Sequence, residues 1–156
     1  MIKKNKKQNK GFALLFAVTL SSILLSIALG ATSIAVKQLK FGTSARATND
    51  AFFAADTGME CALINDKSTS NIFNSTSGAT TINCKGGSIS LLTSYPSWNF
   101  VVSGLGSTGQ GCAKVNITKD AVADTTIVTS QGYNIGDASC NSTSTYRIER
   151  EIQTNY

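Results

Sequence analysis

Twenty-five consecutive residues, Phe12 to Val36, carry no charge: "FALLFAVTLSSILLSIALGATSIAV". As a helix this run would rise about 37 Å, against roughly 30 Å of bilayer hydrocarbon. Thirteen of its residues are Leu, Ile, Phe or Val. Their insertion preferences, about −0.3 to −0.6 kcal/mol each, outweigh the interspersed Ser and Thr. The run is therefore expected to span a membrane once. Before it stands the leader "MIKKNKKQNKG", with five lysines and no acid. Such a leader stays cytoplasmic, so the rest of the chain is expected outside.

The leader also explains the charge. The chain has 156 residues and a net charge of +5, but from Phe12 onward nine basic residues meet nine acidic ones. No Lys/Arg cluster remains there, so no nucleic-acid contact is predicted by a direct motif. There is no histidine, which removes His-based catalysis and His metal sites. No nucleophile–base pair can be assembled, so no enzymatic activity, cofactor or metal is predicted. The roughly 120 residues beyond the run suffice for one small domain with a limited core.

Inside the run, Thr19, Ser22, Ser26, Gly30 and Ser33 recur at helical spacing. Such a stripe of small residues lets helices pack closely in lipid; simple tolerance of Ser and Thr reads it equally well. Past the run, Phe41, Ala45, Thr48, Phe52, Ala55, Met59 and Ala62 continue on one face, with Lys40, Arg46, Asp50, Asp56 and Glu60 off it. One long helix is predicted from 12 to about 64. Its membrane half covers 12–36 and its amphipathic half 37–66.

Residues 67–156 read as β-rich. A Ser/Thr/Asn loop comes first, then "ATTINC", "GSISLL", "WNFVVSG", "CAKVNIT", "TTIVTSQ" and "TYRIEREIQ" as short strands, the last three an antiparallel meander. In the final run Tyr146, Ile148 and Ile152 fall on one face. The predicted fold class is α+β: a long N-terminal helix laid on a small antiparallel sheet.

Three further stretches carry less chemistry. "GLGSTGQG" contains G-x-G-x-x-G, but a strand follows it, so it reads as a flexible loop and not a phosphate cradle. Asp120 and Asp124 read as a solvated turn in preference to a calcium site. Tyr95, Trp98 and Phe100 in "SYPSWNF" read as core packing at a strand start, with an exposed contact surface as the alternative.

Cys61, Cys84, Cys112 and Cys140 form no C-x-x-C motif, and beyond an anchor they point to two disulfides. Four buried free thiols are the competing reading. Cys112 begins one strand. If the next returns antiparallel, the segment after Asn134 lies beside that beginning and Cys140 pairs with Cys112. Cys61 and Cys84 then remain for each other.

Cleavage after Gly30 by an ordinary signal peptidase is possible on composition, since "IALGA" offers small residues. It would make the apolar core unusually long and cut within a continuing helix. The stretch "NKGFALLFAVTLSSILLS" instead resembles the class III signal of type IV pilins and type II secretion pseudopilins. That resemblance implies cleavage between Gly11 and Phe12 by prepilin peptidase at the inner (cytoplasmic) membrane, with methylation of the Phe12 amine. "AFFAADTGMECAL" is similar to the A-x-x-A-A-E-x-G-hydrophobic-E-x-A pattern of PilX-type minor pilins, with Asp56 in place of Glu and Glu60 matching. Gly58 would then serve close helix–sheet packing. Most pilins carry Glu at the fifth mature residue; here it is Phe16. The resemblance thus implies a minor subunit of a pilus or pseudopilus, carried to a cell-surface filament. Its partners would be prepilin peptidase, an assembly platform and other pilin subunits. A secreted or single-pass binding protein is the alternative.

Overall fold

The computed structural model describes residues 10–69 and 71–156. The expected leader falls mostly on 1–9, outside the described residues. The chain divides into two compact units at Thr43/Ser44.

One helix, α1, runs Lys10–Lys67. In the first unit every residue from Phe12 to Thr43 is exposed, including Phe12, Leu14, Leu25 and Leu29. Side chains this apolar would cost too much in water to be left so; the helix is long and apolar enough to cross a membrane.

The second unit is Ser44–Tyr156. Strands β1 (Thr81–Cys84) and β2 (Gly87–Ser90) form a hairpin. Its turn needs left-handed residues, which Lys85 and Gly86 supply. Strands β3 (Ser97–Leu105), β4 (Gly111–Asp120), β5 (Thr125–Tyr133) and β6 (Glu149–Asn155) form an antiparallel meander in that order. Alternation sets its faces. Trp98, Phe100, Val102, Ala113, Val115, Ile117, Val128 and Ser130 are buried toward the helix.

The helix face that meets the sheet keeps Ala55, Met59 and Ala62 of the expected stripe but not Phe52. Ala51, Ala54, Ala55, Met59 and Ala62 are buried, while Phe52 is 47% exposed and Phe41 is exposed too. The reason is distance. A Cβ on Gly58 would sit 2.5 Å from Ser130 Oγ and 2.8 Å from Val115 Cγ2. At that separation position 58 has no room for a side chain, and Phe52 turns outward. Gly58 thus has the close-packing role expected of it. Opposite, Ser130 Oγ donates to the Ala55 carbonyl at 2.7 Å, which satisfies a hydroxyl in the dry interface.

The helix closes on polar contacts. Asn65 Nδ2 donates to the Cys61 and Asn83 carbonyls at 2.8 and 3.0 Å. Phe73 then folds over the sheet against Trp98 and Phe100, with ring centroids 5.5 and 6.4 Å away. Trp98 and Phe100 are core, as read; Tyr95 is 41% exposed and touches Trp98 edge-on.

Two expectations shift and one holds. The last strand begins at Glu149, and Tyr146 is 80% exposed. Asn134 takes over just before it, accepting from the Ile148 N–H at 2.7 Å and donating to the Tyr146 carbonyl at 3.2 Å. The "GLGSTGQG" loop is held, not loose: the Ser107 N–H and Oγ both donate to the Asp50 carboxylate, at 3.1 and 3.0 Å. Gly104, Gly106 and Gly109 adopt the left-handed φ this tight path needs. Asp120 caps its turn as read, accepting from the Val122 and Ala123 N–H groups. Those bonds to the ionised form hold its pKa below the usual carboxylate value.

Candidate functional site

The sheet face turned away from the helix carries polar side chains at alternate positions. Asn116 is their centre. Its Nδ2 donates to Asn99 Oδ1 at 2.6 Å and to Ser97 Oγ at 3.1 Å. Thr118 Oγ1 donates to Asn116 Oδ1 at 3.0 Å, and Asn99 Nδ2 to Thr93 Oγ1 at 3.1 Å. Register makes this possible: Asn99 stands opposite Asn116, and Ser97 opposite Thr118. Further along, Lys114 Nζ reaches Asn141 Oδ1 at 2.9 Å, and Gln131 Nε2 reaches Glu151 Oε2 at 2.9 Å.

Two walls turn this face into a groove of about 830 Å³. That lies within the usual range of ligand pockets. Ile89 and Leu92 stand on one side, Ser139 and Asn141 on the other. The second wall belongs to the segment between β5 and β6. Cys140 ties it to Cys112 at the start of β4. Arg147 stacks on the Tyr133 ring at 3.7 Å and donates to the Cys140 carbonyl at 2.8 Å. Asp137 Oδ1 accepts from the Asn141 and Ser139 N–H groups, at 2.8 and 2.9 Å. The Asn141 bond above all keeps the Asp137 carboxyl below its ordinary pKa.

Both disulfides connect as the meander argument required, with Cys61–Cys84 joining helix to β1. Replacing Cys112 and Cys140 by serine is expected to lower stability by about 3 kcal/mol. Hydrogen exchange at the Ser139 and Asn141 amides should quicken as the wall loosens. Unchanged exchange there would show that Arg147 and Asp137 hold the wall unaided.

The residues singled out for processing and for helix packing belong to the first unit's helix. Gly11 and Phe12 are in its first turn. Phe16 is exposed, and a Cβ at Gly30 would meet nothing. Thr19 Oγ1 donates to the Leu15 and Phe16 carbonyls, Ser22 to Thr19 and Ser26 to Ser22, at 2.8–3.1 Å. These hydroxyls satisfy their own protons within the helix and keep lone pairs outward. Ser33 is exposed on the same helix.

Sequence reasoning missed Asn99, Asn116 and Gln131. For Asn99 and Asn116 the signal was present, as polar residues at every second position of "SWN" and "KVNIT"; "TSQ" is polar throughout and marks no face for Gln131. Comparison with protein-family models, with curated proteins and with solved structures finds no match.

Proposed function

We propose that this chain is a pilin-like subunit, cut after Gly11 and assembled through its N-terminal helix into a type IV pilus or a related secretion filament. One observation carries the reading. A single helix, Lys10–Lys67, exposes an uncharged, mostly apolar surface over its membrane-length part and buries small residues against an antiparallel meander over its last turns. An anchor that is to be exchanged between lipid and neighbouring helices needs such a surface. The mechanism is assembly: apolar helices leave the bilayer and pack on one another, so that lipid contacts are replaced by helix contacts. Prepilin peptidase, an assembly platform and other pilins are the implied partners. The competing cut after Gly30 would fall in mid-helix.

N-terminal sequencing and intact mass of the membrane-extracted protein test this. A chain beginning at methylated Phe12 is expected, and replacing Gly11 should leave the precursor uncut. A chain beginning at Ala31 would overturn the reading. Phe16 refines it to a minor subunit. A buried terminal ammonium costs several kcal/mol without a counter-ion, and Phe16 supplies none. A homopolymer would repeat that defect at every interface, whereas a subunit at a filament end would not. Quantitative mass spectrometry of purified filaments should therefore find this chain scarce.

A further inference from the structure

We propose that the groove on the outer face of the β3–β6 sheet binds a neutral oligosaccharide. It stands apart from the filament reading, since sugar binding and cleavage after Gly11 can each fail without the other.

The chemistry of the groove selects the ligand by elimination. An acidic ligand would need several cations, yet the lining offers one, Lys114, and Glu151 stands beside Gln131. A single-stranded nucleic acid would need a stacking platform and a basic track, neither of which the outward residues supply. An added peptide strand needs free backbone groups. Those of β4 and β5 are spent on both neighbours. A lipid would leave the amide floor unpaired in an apolar contact.

A polyhydroxylated, uncharged ligand meets none of these objections. Among the described residues, Asn99 and Gln131 each keep one amide N–H after their observed bonds, and Lys114 keeps two. Asn99 and Asn116 each keep a carbonyl lone pair. The floor therefore offers both donors and acceptors, as the hydroxyls of a sugar require. Ile89 and Leu92 offer apolar contact for the C–H face of a ring. The amides are already held by one another, so ordering them on binding costs little. The disulfide and Arg147 fix the far wall in the same way.

The test uses the full chain in lipid nanodiscs, displayed multivalently over a printed array. The array carries neutral hexose and N-acetylhexosamine oligosaccharides, their sialylated and sulfated counterparts, and uncharged Ser/Asn peptides. Retention on neutral oligosaccharides is expected, weakened about tenfold by Gln131→Ala and by Asn99→Ala, the loss of one or two hydrogen bonds. Gln131 pairs with an exposed partner, so Gln131→Ala should keep the fold, as amide exchange of β4 and β5 would report. Glu60→Gln, on the exposed side of the helix, should bind as the parent does. Retention on acidic glycans alone, on peptides alone, on nothing, or undiminished in a folded Gln131→Ala would each overturn the proposal.

Discussion

Gly132→Val is expected to remove a large share of the stability of the Ser44–Tyr156 unit. A Cβ at Gly132 would run into the backbone of Ala51 and Ala55 on the helix. Backbone cannot rotate aside as a side chain can, so the helix would have to lift from the sheet. Lifting it also strains the Ser130–Ala55 hydrogen bond in the same interface. Overpacking of this kind costs about 3 kcal/mol or more, out of the roughly 5–15 kcal/mol that holds a domain together. Gly58→Ala should cost less, because its nearest obstacles are the side-chain atoms of Ser130, Val115 and Ala113. Gly42→Ala meets nothing and should be neutral or slightly stabilising, since Ala favours a helix over Gly. Urea unfolding of the three variants in one micelle system ranks them. Equal midpoints for Gly132→Val and the parent would mean that helix and sheet do not pack this closely.

Lys119→Met should rank next. Asp66, at the helix end, is buried, its side chain only 5% exposed. Its Oδ2 accepts from the Tyr156 hydroxyl at 2.6 Å. Among the described residues its Oδ1 is met by the Lys119 ammonium alone, at 2.6 Å. Removing one partner of a buried pair costs about 3–5 kcal/mol; Lys119 is 21% exposed, so solvent screening puts this case near about 3. Lys119→Met combined with Asp66→Leu should recover part of the loss, because no charge is then stranded. The same cluster sets an alkaline limit. Burial first, and then the bond to Asp66, push the Tyr156 hydroxyl well above the ordinary phenol range. A raised folded pKa stabilises fully below the unfolded value near 10 and is lost as pH rises beyond it. Thermal unfolding between pH 8 and pH 11 should therefore fall more steeply for the parent than for Tyr156→Phe. Parallel curves would remove Tyr156 from the cluster.

What could be read along the chain was whatever depends on near neighbours. An uncharged run of membrane length makes a helix whatever surrounds it, because its backbone must bond internally in lipid. Alternation in "WNFVVSG" and "CAKVNIT" marks strands for a similar reason: every second side chain must reach one layer. Even the cysteine pairing followed, since a meander returns Cys140 to the beginning of β4. Register and distance belonged to the tertiary structure. Ala51 and Ala55 meet Gly132, and Gly58 meets Ser130, Val115 and Ala113, and no periodicity in the helix alone separates that face from the one bearing Phe52. Asp50 holds Ser107 from 57 residues away, and Asp66 meets Tyr156 across 90. Asn99 and Asn116 join into one floor only because β3 and β4 pair in that register. Each such contact depends on two distant segments arriving at ångström separation. A hydrophobic pattern specifies which side of an element is buried, but not which atom of another element will face it there.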